Sequence, residues 1–348
     1  MRDWEALGAE RRVVVTRGRV EAAAPHSRVP GIDGLRGLAV LIMAAGNLGL
    51  GVGWVPDWLK HTPDVGFTIA DLIAPVFVVL SGFTIGPAIE RRRRAQGTSA
   101  ALTWLAVRSL ALIGIGAVIT AGQWLLEPAP PGTDLTWGVL QAIGGASLLT
   151  CTVILARPWV RVVVALVVLA GYQWLLNAYW LDIVRHAVQN GLPGTLSWGA
   201  LMMLATAVAD AWRAAATLRR RVGRLVVVGL VSTGSALALT PVVPIGKARA
   251  SATYMLFTLG LTLLALAIFD AGLGVRPRAM LWLQRVGRHP LPLYFAHLLL
   301  LAPLTLAGDN ILYAGAPPWL TLVEVAIMVG ALVGLGAVFD RKGWSLRL

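Results

Sequence analysis

Long apolar runs recur along the whole chain, each close to the ~20 residues a helix needs to cross a bilayer. Ten are separated by short polar breaks. The first five lie near 35–53, 68–89, 102–122, 136–156 and 159–177. The others lie near 194–212, 224–241, 252–272, 289–306 and 318–339. Residues 279–283 form one more short apolar piece, expected to be an interfacial turn. Pro128, Pro130, Pro131 and Gly132 mark an exposed turn between the third and fourth spans. This pattern predicts an all-α polytopic integral membrane bundle of about ten transmembrane helices.

The charged positions orient that bundle. Ten spans put both termini and every second loop on one side. Of the 30 basic residues, only Lys60, Arg185, Lys247 and Arg249 fall on the other. Basic loops stay cytoplasmic, so both termini are expected there. Residues 1–30 read as a basic cytoplasmic tail, because they contain no continuous apolar stretch of the signal-peptide kind. Residues 31–348 read as a single transmembrane domain. The chain is 57% hydrophobic and 14% charged, where a soluble domain carries about 25% charged residues. Its net charge of +13 is therefore assigned to topology: membrane lipid is the expected partner and nucleic acid is not. The lone cysteine, Cys151, excludes an intrachain disulfide and a multi-cysteine metal site. The run at 90–94 reads first as a topology anchor, with lipid-headgroup or nucleotide binding as its special reading.

Polar groups inside spans are costly, so they mark candidate chemistry. Asp33 and Arg36 open the first span at a spacing that pairs them on one helix face. Asn47 lies about 16 Å further along that helix. His61 precedes the second span on the outer side, and Asp71 follows ten residues later. An imidazole beside a carboxylate is the minimal general-base pair; Asp71 equally suits capping the second span. Gln141 sits inside the fourth span. Asp210 and Asp270, near cytoplasmic ends, are expected to pair with Arg213 and with Arg276 or Arg278. Lys247 and Arg249, placed against the charge preference, call for an acidic partner: a lipid, a substrate or a structural carboxylate. Tyr294 and His297 share a face of the ninth span. No set of side chains has metal-ligand spacing, so no metal is expected.

These polar islands carry a resemblance. Asp33-Gly-Leu-Arg36-Gly37, with Met43 and Asn47, resembles the first helix of the heparan-α-glucosaminide N-acetyltransferase family and its bacterial relatives. It is also distantly like the membrane acyltransferase type 3 group, which usually has His at the position of Asn47. The stretch from His61-Thr-Pro through Gly66-Phe67-Thr68, Asp71-Leu72-Ile73 and Pro75-Val-Phe77 resembles the family's second-helix motif. Gly138-Val-Leu-Gln141, then Lys247 with Thr253-Tyr254, then Gly287-Arg288-His289-Pro290 with Tyr294 and His297 are similar to later motifs. The resemblance implies transfer of an acetyl group from cytosolic acetyl-CoA, as co-substrate, to an extracytoplasmic sugar or glycan. His61 would be the active-site residue that deprotonates the acceptor or carries the acyl group, oriented by Asp71, with Asn47 donating to the oxyanion. Arg36 and Arg288, with Arg108, would meet the phosphates. Gln141, Lys247 and Tyr294 complete the expected acyl-CoA-binding set, and Asp33 forms a structural ion pair. The implied location is the plasma (inner) membrane, with a homodimer left open. A transporter or flippase of a sugar or lipid-linked substrate is the second class, since intramembrane Asp, Asn and His also suit alternating access. The internal repeats and paired broken helices of such proteins are not found in the sequence.

Overall fold

The structure, a computed structural model, describes residues 28–126, 137–306 and 312–344. The expected basic tail up to residue 27 and the turn at Pro128–Gly132 lie outside them. Helices α1 (Pro30–Leu50), α2 (Ile69–Gln96), α3 (Thr98–Leu126) and α4 (Val139–Cys151) come first. Next are α5 (Pro158–Leu175), α6 (Leu181–His186), α7 (Gly191–Arg213) and α8 (Leu218–Leu239). The last are α9 (Ala252–Val275), α10 (Leu281–Arg288), α11 (Pro290–Leu306) and α12 (Pro318–Lys342). Among the described residues there is no strand. Eight helical segments there are long and apolar enough to cross a membrane, and two shorter apolar helices, Val139–Cys151 and Pro290–Thr305, lie at the fourth and ninth predicted spans. The chain is an all-α polytopic membrane bundle.

Burial separates the core from the lipid face. In α7, 78% of the apolar stretch is buried, with Trp198 wholly enclosed; in α8 and α12 the share is 17%. A helix that is apolar all round yet exposed can rest only against lipid. α7 packs against α2, α4 and α5, while α8 lies along α9 and α3 along α4. A second apolar cluster joins the outer half of α1 to α10, α11 and α12 through Val40, Leu48, Val286, Leu293 and Leu332. Trp54, Trp58 and Trp319 stand exposed near the outer ends of the helices, as interfacial aromatics do.

The short apolar piece near 280 is more than a surface turn. It continues into α10, which turns Leu283 and Val286 inward and packs against α1 and α12. Two glycines permit the crossing. A Cβ on Gly37 would stand 2.0 Å from the Leu283 carbonyl oxygen, and one on Gly287 would stand 1.8 Å from that of Asp33.

α2 carries two interior prolines, Pro75 and Pro87. Each removes an N–H and so frees the carbonyl four residues earlier. Both carbonyls find other donors: the Tyr254 hydroxyl bonds that of Asp71 at 2.6 Å, and Arg213 bonds that of Phe83. The ion pairs at the basic end differ from those expected. Asp210 pairs with Arg161, and Asp270 pairs with Arg221 at 2.6 Å and accepts from the Trp212 indole at 3.0 Å. Arg213, one turn along α7 from Asp210, is drawn instead to the Phe83 carbonyl, and Arg161 of α5 takes Asp210.

Candidate active site

The outer end of the bundle is built around Asp71, which is fully buried. It lies in the first turn of α2, and its carboxylate accepts the Thr68 N–H at 3.1 Å, the reciprocal half of a capping box. The Thr62 hydroxyl donates to it at 2.6 Å and His61 Nδ1 lies 2.8 Å away. A carboxylate only accepts, so Nδ1 carries the proton and Nε2 keeps the basic lone pair. Asp71 therefore both caps α2 and orients His61.

A second loop, between α8 and α9, closes over this pair. Gly66, at φ 123°, donates its N–H to the Ile245 carbonyl at 2.8 Å. Arg249 clamps Asp64 with two bonds of 2.6 and 2.5 Å, which holds the Asp64 carboxyl below its ordinary value. The Asn190 amide donates to the carbonyls of Lys247 and Ala248 at 2.8 and 2.9 Å. Lys247 is thereby delivered to His61, its ammonium 3.1 Å from each ring nitrogen and 4.0 Å from Asp71. Equal distances to both nitrogens place the ammonium off the ring plane, since an in-plane position would collide with a ring carbon. Burial pulls the Lys247 pKa down to about 8, with Asp71 opposing the fall.

His61, Asn47, Lys247 and Tyr294 line a cavity of about 340 Å³ whose walls are otherwise mostly apolar. A second cavity of about 240 Å³ lies towards the basic end. Met43, Phe77, Val139 and Tyr294 line both, so the two meet at a shared waist. Arg36, Arg108, Arg288 and His289 gather in the second. Arg288 bonds Asp340 at 2.9 Å, and Arg36 donates to the Leu80 carbonyl at 3.3 Å. Among the described residues, Arg108 Nη1, Arg288 Nε and His289 Nε2 are buried without a hydrogen-bond partner. Orphaned guanidinium donors around a cavity suit an anion with several oxygens, as phosphates are.

The structure thus gathers His61, Asp71, Asn47 and Lys247 at one pole and Arg36, Arg108 and Arg288 at the other, with Tyr294 between them. Lys247 lies on the outer side, where its loop is expected, and stands beside His61. Two expected placements change. Gln141 lines neither cavity: its carboxamide oxygen accepts the Gly138 N–H at 2.6 Å and caps α4 against α3. Asp33 stands 3.8 Å from both Arg36 and Arg288, so it is shared and not a private partner of Arg36. Asn47 reaches the outer cavity, but its amide nitrogen also lies 3.0 Å from Nε2 of the buried His297. Sequence reading did not foresee the roles of Thr62, Thr68, Asn190 and Tyr254. The Thr68-x-x-Asp71 spacing was the available signal for one of them.

Residues 28–193 match the family described as heparan-alpha-glucosaminide N-acetyltransferase, catalytic. The human heparan-alpha-glucosaminide N-acetyltransferase is 33% identical over 127 residues, which is 36% of this chain and 18% of that protein. The mouse protein of the same name is 33% identical over 119 residues, 34% of this chain and 18% of its own length. The matched stretch thus spans under a fifth of each of these curated relatives. The family match includes Arg36, Asn47, His61 and Asp71 but not Lys247, Arg288 or Tyr294.

Proposed function

Because residues 28–193 match the heparan-alpha-glucosaminide N-acetyltransferase catalytic family, we propose that this chain is a transmembrane acetyltransferase. In this reading the donor is a cytosolic acyl-CoA, with acetyl-CoA foremost, and the acceptor is a sugar or glycan on the outer side. One observation supports it: two cavities share the lining of Met43, Phe77, Val139 and Tyr294, with Arg36, Arg108 and Arg288 in one and the His61 imidazole, paired with Asp71, in the other.

Arg36, Arg108 and Arg288 hold phosphate oxygens at the inner mouth. The waist of Met43, Phe77, Val139 and Tyr294 takes an uncharged arm without asking for polar partners. His61 Nε2 accepts the proton of the acceptor hydroxyl or amine as the new acyl bond forms. It then returns that proton to the departing thiolate, so the exchange needs no other reagent. Asp71 fixes the His61 tautomer and stabilises the imidazolium. Asn47 and the Lys247 ammonium offer N–H donors to the oxygen on which negative charge develops.

The test uses the purified full chain with radiolabelled acetyl-CoA and a panel of amino and neutral sugars. Wild type labels a sugar. His61→Ala slows labelling by about 10²–10⁴-fold, the range for loss of a general base, and leaves the melting temperature unchanged. Equal labelling by the two proteins removes His61 from this role.

A further inference from the structure

A third cavity, separate from both of those above, opens at the cytoplasmic end between α2, α5 and α7, with a volume of about 530 Å³. It takes in the 90–94 run that topology alone leaves without a specific task. Arg91, Arg93, Arg94, Arg161 and Arg213 line it, against only two carboxylates, Glu90 and Asp210. Both acids are engaged: Glu90 with Arg93 at 3.0 Å and Arg94 at 2.6 Å, and Asp210 with Arg161. Arg91 lies close enough to Arg213 for its positive charge to act on it. The positive charge of the groove is therefore only partly balanced.

Two further features aim this charge at a ligand. The Arg161 side chain is 3% exposed, and among the described residues its buried Nε has no hydrogen-bond partner. The groove also includes Pro158 at the start of α5, an 18-residue helix whose N-cap supplies no side-chain bond. That terminus adds partial positive charge. The rim, in contrast, is apolar: Leu155 is 46% exposed and Trp159 is 63% exposed beside it. In a membrane-spanning bundle such side chains rest among lipid tails and glycerol backbones.

We propose that this groove is a binding site for an anionic phospholipid, its phosphate held by Arg91, Arg94 and Arg161 and its acyl chains lying along Leu155 and Trp159. A soluble anion would use the arginines but would leave the apolar rim without purpose. The site is independent of acyl transfer.

The test is native mass spectrometry of the full chain in detergent, with phosphatidylglycerol and phosphatidylcholine as probes. Wild type retains phosphatidylglycerol in preference. The double variant Arg91→Gln/Arg94→Gln lowers its retention roughly thirtyfold, the scale of two arginines at about 1 kcal/mol each acting on an anionic headgroup. Both positions are exposed, so the fold survives; Arg161 and Arg213 stay in place because each satisfies a neighbouring acceptor. A control, Arg276→Gln/Arg278→Gln, removes equal charge elsewhere on the same side and leaves retention unchanged. Equal loss in the control, or no loss in the Arg91/Arg94 variant, overturns the proposal. Inorganic phosphate is titrated in parallel against protein in phosphatidylcholine. Saturable thermal stabilisation that the Arg91/Arg94 variant abolishes would assign the groove to a soluble anion and overturn the lipid assignment.

Discussion

Lys247 decides much of the chemistry at His61. Its ammonium, 3.1 Å from the ring and 4.0 Å from Asp71, steadies that carboxylate and offers a donor to developing negative charge. With its pKa lowered from 10.5 to about 8, Lys247 loses its proton in the folded protein as pH rises through 8, while in the unfolded chain it stays charged to higher pH. Between 8 and 10.5 the unfolded state binds more protons, so this residue's contribution to stability rises with pH there. Activity moves the opposite way, because the positive charge that strengthens the Lys247 donor is lost. The acetyl-transfer rate of wild type is expected to fall above pH 8, whereas Lys247→Gln is slower at pH 7 and lacks that limb. A pH–rate profile that is the same in both proteins sinks the assignment. His61 and Asp71 were legible as a pair because only ten residues separate them, from the loop before α2 into its first turn. Lys247 stands 186 residues from His61, and no local spacing announces such a meeting. Gln141 shows the converse: a buried amide looks like a ligand-binding group until its partner is seen to be a helix N-terminus.

At the scale of the elements, prolines and glycines set where helices bend and touch. Pro75 leaves the Asp71 carbonyl without its helical donor, and the Tyr254 hydroxyl replaces it. Tyr254→Phe should therefore strand a buried acceptor, at a cost of about 1–3 kcal/mol. Combined with Pro75→Ala, which restores an N–H, the same change should cost measurably less. A double-mutant cycle in thermal unfolding checks this, and strictly additive effects contradict it. Gly287→Ala pushes a methyl group into the Asp33 carbonyl and should lower stability by about 1–3 kcal/mol. Gly334→Ala, with no atom within 4 Å of the added carbon, should not; equal stabilities for the two variants refute the close-crossing account. The long helices were legible because an apolar run of bilayer length has few alternatives. The eight-residue α10 was not. Its existence depends on a crossing with α1 that two glycines allow, and a glycine in sequence does not say what passes over it.

For the whole molecule, the basic residues orient the bundle and divide it into two poles. Arg36, Arg108 and Arg288 line the cavity at the basic one, and the His61 imidazole lies at the other. This polarity could be read from the chain, since loop charge follows topology. The joined cavities could not, because Met43, Phe77, Val139 and Tyr294 come from four different helices and meet only when the bundle closes. The account stands on transfer through that waist, from one side of the membrane to the other. The most direct measurement seals radiolabelled acetyl-CoA inside proteoliposomes, on the face bearing the arginines, and supplies sugar acceptors only outside. Labelled sugar should accumulate outside with wild type and fail to do so with His61→Ala. Product that forms only when donor and acceptor share one side would contradict the account, as would equal product from the two proteins.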